Sequence, residues 1–197
     1  TLFRSLTLQK FYRINGGSTQ LKGVSSDIVL PDNLEYLKVR EKDSEDALPW
    51  DEITKAGYNN WKPGYDLEVI KQLSKQRLEG DPTFRLIAES TDWLSKQSEK
   101  KYSLQLEKYR KEQDKVKATV KQLESLLKLK NQLNVSALST ELNRWAEDKT
   151  KQERFQLWLK SLQKDIYLDQ AVKVMNDIIS QQNLVKAKTE EPLKKAF

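Results

Sequence analysis

Gly80-Asp81-Pro82-Thr83-Phe84-Arg85-Leu86-Ile87 is the point at which the sequence changes character. Gly suits the left-handed position that closes a helix, Asp caps a new N-terminus, and Pro fits the first helical turn. All six glycines lie at or before Gly80, and four of the five prolines at or before Pro82. From Thr83 to Glu191, 109 residues contain neither. Because Gly and Pro are the main local breakers of regular structure, the order reads as a turn-rich front and a long helical rear: α+β, mostly α, with an N-terminal β-hairpin or strand remnant followed by a bundle of long helices.

Behind Pro82 the periodicity is helical. Phe84, Ile87, Ala88 and Leu94 are expected inward. A seam follows at Tyr102, Leu106, Tyr109, Gln113, Val116, Val120, Leu123 and Leu127, in steps of four and three. It predicts one continuous helix over about 101–130, roughly 45 Å long. Residues 131–139 read as a bend. The periodicity resumes at Leu142, Trp145, Ala146, Phe155, Trp158, Leu159 and Leu162, and a last helix spans about 165–185, with a charged tail from Lys186. Ahead of Gly80, Leu67, Ile70, Leu73 and Leu78 mark a helix over about 66–79.

The front reads differently. Residues 4–30 show an imperfect strand-like alternation, with Leu6, Leu8, Lys10 and Tyr12 on one side. Asn15-Gly16-Gly17 supplies the positive-φ residues of a tight reversal. Asp27-Ile28-Val29-Leu30 is expected as a short buried strand ended by Pro31. Such a hairpin is marginal alone, and the chain offers no obvious sheet for it to join. Residues 32–65 are irregular, acidic and aromatic (Tyr36, Trp50, Tyr58, Trp61, Tyr65), a segment expected to be pinned across a surface by its rings. Trp50, beside Leu48, Pro49 and Ile53, is expected to anchor it onto the helices.

The chain has 197 residues, a net charge of +6, and neither His nor Cys. Zinc fingers, thiol nucleophiles, disulfide scaffolds and Ser-His-Asp triads are therefore excluded. Apolar runs reach only three residues, far short of the ~20 of a membrane span. Thr1 is not an initiator Met and no targeting pattern precedes the first strand, so the chain reads as a piece of something longer. By segment, residues 1–32 carry +2, 33–81 carry −3 and 82–197 carry +7.

Three features could carry chemistry. The basic rear could bind nucleic acid electrostatically, but its lysines alternate with Glu107, Glu112, Asp114 and Glu124. Spacings such as Glu107–Lys111 and Glu124–Lys128 suit a solvated helix face. Asn15-Gly16-Gly17-Ser18-Thr19 lacks the lysine and following helix of a phosphate loop and reads as a turn. Serines and lysines are plentiful, yet no serine sits in a Gly-flanked nucleophile turn. The residues by themselves reach a hairpin plus a charged helical bundle.

FYRINGGSTQLKGVSSDIVLP, residues 11–31, closely resembles the stretch that ends the catalytic core of bacterial tail-specific (carboxy-terminal processing) proteases. SEDALPWDEITKAGY (44–58), the Gly-Asp-Pro-x-Phe at 80–84 and DIYLDQAV (165–172) are similar to the helical C-terminal domain of the long members. The resemblance implies residues 1–32 as terminal strands of the protease core, 33–65 as a linker, and 66–197 as a helical C-terminal domain. It implies a serine nucleophile and a lysine base lying upstream, so no catalytic, metal or cofactor residue is assigned here, and this piece alone is expected to hydrolyse nothing. It further implies a periplasmic location, the enzyme's own catalytic core as a partner, and protein substrates with unstructured C-terminal tails, without nucleic acid or a membrane span. A freestanding helical interaction module, or a basic nucleic-acid binder, are the alternatives.

Overall fold

The computed structural model describes residues 9–141, 144 and 148–190, with side chains to 183. Five α-helices dominate: α1 (Leu67–Gly80), α2 (Pro82–Ser98), α3 (Leu106–Leu126), α4 (Lys149–Leu162) and α5 (Ile166–Glu190). Leu142, Trp145, Ala146 and the tail from Glu191 lie outside the described residues, as do Leu6 and Leu8.

Helix starts follow local chemistry. The Asp66 carboxylate accepts from the N–H groups of Glu68 and Val69, and Asp148 from Lys151. Asp165 does the same for Tyr167 and Leu168 at the head of α5. Each satisfies orphan donors of a first turn. Between α1 and α2 the expectation is half right. Asp81 caps α2 through Thr83 N–H, and Pro82 takes the first turn. Gly80, however, is the last residue of α1 and has no positive φ. The break comes from Asp81, extended at φ −90° and ψ 113°, because a residue before proline is pushed out of the helical region.

Packing runs α3 on α2, α2 on α1, and α1 on α5. Phe84, Ile87, Leu94, Leu123 and Ile166 form the buried core, with Tyr36, Trp93, Val116, Val120 and Tyr167 around it. Phe84 and Tyr167 meet edge-on at 6.0 Å, a favoured aromatic geometry. Between α1 and α5, Ile70 is fully buried. Beside it the Arg77 guanidinium donates to Asp177 at 2.8 Å and to Gln170 Oε1 at 3.2 Å.

Several expectations are corrected. Ala88 is exposed, because Ile87, Ser90, Thr91 and Leu94 define the inner face of α2. α3 is shorter than the seam suggests, about 32 Å for its 21 residues. Tyr102 precedes it, and its hydroxyl donates back to the Gln97 carbonyl at 2.9 Å. The seam therefore buries at its C-terminal end, at Leu123, and leaves Leu106 57% exposed. On α4 no residue is buried; Phe155 and Trp158 stack on each other at 5.6 Å, with Trp158 53% exposed.

The front shows no strand among the described residues, only isolated antiparallel bridges such as Tyr12 with Ser18 and Gly17 with Glu52. Positive φ at Leu21 and Gly23 turns the chain away after the hairpin, which ends any ladder. The expected buried strand at 27–30 is instead partly exposed, Val29 strongly so. Among the described residues the expected strand remnant is thus not seen, whereas the mostly helical bundle is.

Candidate functional site

The region where the front of the chain is fixed is a clasp between residues 10–22 and 49–56. It is built from the turn upward. Arg13 N–H donates to the Gly17 carbonyl and Gly16 N–H to the Arg13 carbonyl, closing the reversal. Gly16 has φ +89°, and a Cβ there would fall 2.1 Å from the Ile53 carbonyl oxygen. Only glycine permits that approach. Segment 51–56 then lies against the turn: Ile53 N–H donates to the Gly16 carbonyl at 2.9 Å and Ala56 N–H to the Ile14 carbonyl at 3.0 Å. The hairpin finds its pairing partner within this chain, contrary to the sequence expectation.

Side chains lock the clasp. The Trp50 indole N–H donates to the Ser18 carbonyl at 3.1 Å. Lys22 places its ammonium 3.3 Å from the centre of the Trp50 ring, a cation–π contact. Trp50 is thus a structural anchor as expected, but it holds the hairpin rather than the helices. Asp51 receives Tyr12 Oη–H at 3.0 Å and pairs with Lys10 at 3.2 Å. Partial burial pushes the Asp51 carboxyl up, but the Tyr12, Lys10 and Ser18 bonds outweigh it and hold the group below the usual carboxylate range. The Tyr12 hydroxyl is raised, chiefly by its bond to Asp51.

A second attachment joins the front to the helices. Tyr167 on α5 donates its hydroxyl to the Pro31 carbonyl at 3.0 Å, and Asn33 N–H donates to the Tyr167 hydroxyl oxygen at 3.4 Å. Arg40 bonds both Asp32 and Glu35, and Lys38 reaches Glu99 at the end of α2 at 2.9 Å. Of the linker aromatics, Tyr36 packs on the core and Trp50 holds the clasp, whereas Trp61 and Tyr58 are exposed.

The glycine-rich turn is a hairpin tip, with Asn15 Oδ1 accepting from Gly17 N–H at 3.2 Å. Ser18 Oγ accepts from Asp51 N–H, while Ser98, Ser125 and Ser161 donate to carbonyls of their own helices. On α3, Lys108, Lys111 and Lys115 are exposed. The expected Glu107–Lys111 and Glu124–Lys128 pairs are not among the ion pairs of the described residues; Lys100 takes Glu112 instead, at 2.9 Å. Sequence reading missed the Lys10–Tyr12–Asp51 and Lys22–Trp50 contacts. The available signal was the apolar cluster Leu48-Pro49-Trp50 in a polar stretch. No helix of the described residues is long and apolar enough to cross a membrane.

Residues 34–180 match the family described as the C-terminal domain of tail specific protease. A similar protein is the tail-specific protease of Haemophilus influenzae, 34% identical over 114 residues, which are 55% of this chain and 16% of that protein. The chain thus aligns to only a small part of its relative's length. No solved structure matches. The match begins just past the Pro31 attachment and runs into α5, taking in the Trp50 half of the clasp and the whole described core. The chain belongs to the C-terminal domain family of tail-specific proteases.

Proposed function

We propose that this chain is the non-catalytic C-terminal region of a tail-specific serine endopeptidase. In this reading residues 1–32 are the end of the protease core, 33–65 a linker, and 66–197 a helical domain that packs on that core. The enzyme works in the periplasm on proteins with unstructured C-terminal tails, and its nucleophile and base lie outside this chain. The helical domain shapes the route by which such a tail reaches the nucleophile.

The double attachment carries this reading. The Trp50 clasp and the Tyr167–Pro31 bond hold residues 10–56 in a fixed relation to each other and to α5. A wall that steers a substrate needs such a seat. The exposed lysines of α3 present a long polar face suited to an unfolded chain passing by. Because these residues do not reach the scissile bond, they govern which substrates enter more than the chemical step.

A photo-crosslinking side chain placed at position 108 or 115 of the full-length, nucleophile-inactivated enzyme tests the route. The expected outcome is crosslinks to the tail of a bound substrate, with none from position 179 on α5. Absence of tail crosslinks from α3 while substrate remains bound would contradict it.

A further inference from the structure

α5 is apolar on two opposite sides. The inner side, with Ile166, Gln170, Val174 and Ile178, is buried or half-buried. It faces α1, to which Asp177 is tied through Arg77 and Gln181 through the Asp66 N–H, each at 2.8 Å. The outer side carries Leu168, Val172, Met175 and Ile179. Steps of four, three and four keep these residues on one face of a helix. Val172, Met175 and Ile179 are 44%, 56% and 48% exposed. A helix with apolar residues all round is ordinarily enclosed, which marks the outer stripe as a face to be covered.

The stripe differs from the solvated faces of the bundle. Between residues 166 and 183 the charged side chains are Asp169, Lys173 and Asp177. They form a row of their own and are ion-paired, Lys173 to Asp169 and Asp177 to Arg77. Ala171, Asn176, Ser180 and Asn183, exposed beside the stripe, carry no charge. On α3, by contrast, Lys108, Lys111 and Lys115 are exposed. A helix that lies on lipid needs cations around its apolar face, and this stretch has none beside its stripe. Length also bears on the occupant. The stripe is about 17 Å long and one helix wide, about 10 Å, whereas a stable complex of two separate molecules buries about 800 Å² on each. So small a face suits a surface tethered in the same polypeptide, where the effective concentration is already about millimolar.

Placement names that surface. The strap that arrives from the clasp is bonded to α5 at Tyr167, whose hydroxyl donates to the Pro31 carbonyl. Leu168, the next residue, begins the stripe. The 114 residues aligned to the Haemophilus relative are 16% of that protein, so most of such an enzyme lies outside this chain. We propose that the outer face of α5 docks on an apolar, uncharged surface of the protease core that precedes this chain in the same polypeptide. The proposal deepens the reading of residues 66–197 as a domain packed on that core, and rests on it, by naming the face that packs.

Met175 is the chain's one methionine, so its oxidation by peroxide reports on this face. In the full-length, nucleophile-inactivated enzyme, Met175 is expected to form sulfoxide about tenfold more slowly under native conditions than in urea, read by mass spectrometry. Val172→Lys, which sets a charge on the stripe without touching the packing of the bundle, should bring the native rate back toward the unfolded one. A photo-crosslinking side chain at position 175 should join α5 to residues ahead of Thr1 within one chain. Native oxidation at the unfolded rate, crosslinks between two chains, or crosslinks confined to a bound substrate would each overturn the proposal. Rapid oxidation of Met175 alongside tail crosslinks from α3 would remove the docking face and spare the access reading. Protection of Met175 without tail crosslinks would do the reverse.

Discussion

The Tyr167 hydroxyl donates to the Pro31 carbonyl at 3.0 Å across 136 residues of sequence. The same ring meets Phe84 edge-on in the core, so one side chain couples the strap, α2 and α5. Tyr167→Phe keeps the ring and deletes the bond. It should cost about 1 kcal/mol in urea unfolding, whereas Tyr167→Ala, which also opens a cavity, should cost about 3 kcal/mol. Equal costs would mean that the hydroxyl contributes nothing.

The Trp50 clasp should loosen without the helices following. Its hydrogen bond is to Ser18 and its cation–π contact to Lys22, both within the clasp. In Trp50→Ala, hydrogen exchange at Ser18 and Ile53 should accelerate by at least tenfold while amides of α2 and α5 keep their protection. Uniform acceleration across the chain would show that the clasp and helices unfold as one unit.

Gly16 and Gly23 separate two reasons for glycine. Both have positive φ, but only Gly16 has a backbone atom where a Cβ would sit. Gly23→Ala should cost about 1–2 kcal/mol from backbone strain alone. Gly16→Ala must push residue 53 away, so it should break the Ile53–Gly16 bond and abolish the clasp, as read by Trp50 fluorescence. Equal effects would contradict the close approach.

Asp51 gives the clasp a pH dependence of defined sign. Its carboxyl titrates below the unfolded value, so its contribution is present above the unfolded pKa and is lost as pH falls through the folded one. Tyr12 is raised, so its contribution is full below its unfolded pKa and declines as pH rises toward the folded one. Trp50 fluorescence should therefore report a clasp that is tight at neutral pH and loosens at both extremes. Asp51→Asn should remove the acid limb and leave the helical signal unchanged.

What was legible in the sequence was local. Asp66, Asp81 and Asp165 announce helix starts because a cap and its N–H partners lie within three residues. The seam of α3 overran because periodicity records which side is apolar, not where Tyr102 turns back to Gln97. The clasp was hidden for a different reason. Lys10, Tyr12 and Ser18 meet Pro49, Trp50 and Asp51 across 32–39 residues, and no spacing rule reaches so far. Segment 51–56 carries no strand pattern because its pairing is intermittent, three backbone bonds to a turn (at Asp51, Ile53 and Ala56) rather than a ladder.

Shaping of substrate access is tested most directly by one comparison of rates. In the full-length enzyme, residues 66–197 are deleted, folding of the remainder is confirmed, and kcat/KM is measured for a short peptide and for a folded protein bearing an unstructured tail. Shaping of access predicts a selective change on the tailed protein, with the short peptide cleaved at a nearly unchanged rate. Equal losses on both substrates, or no change on either, would contradict it and leave the helical region as a stabilising cap.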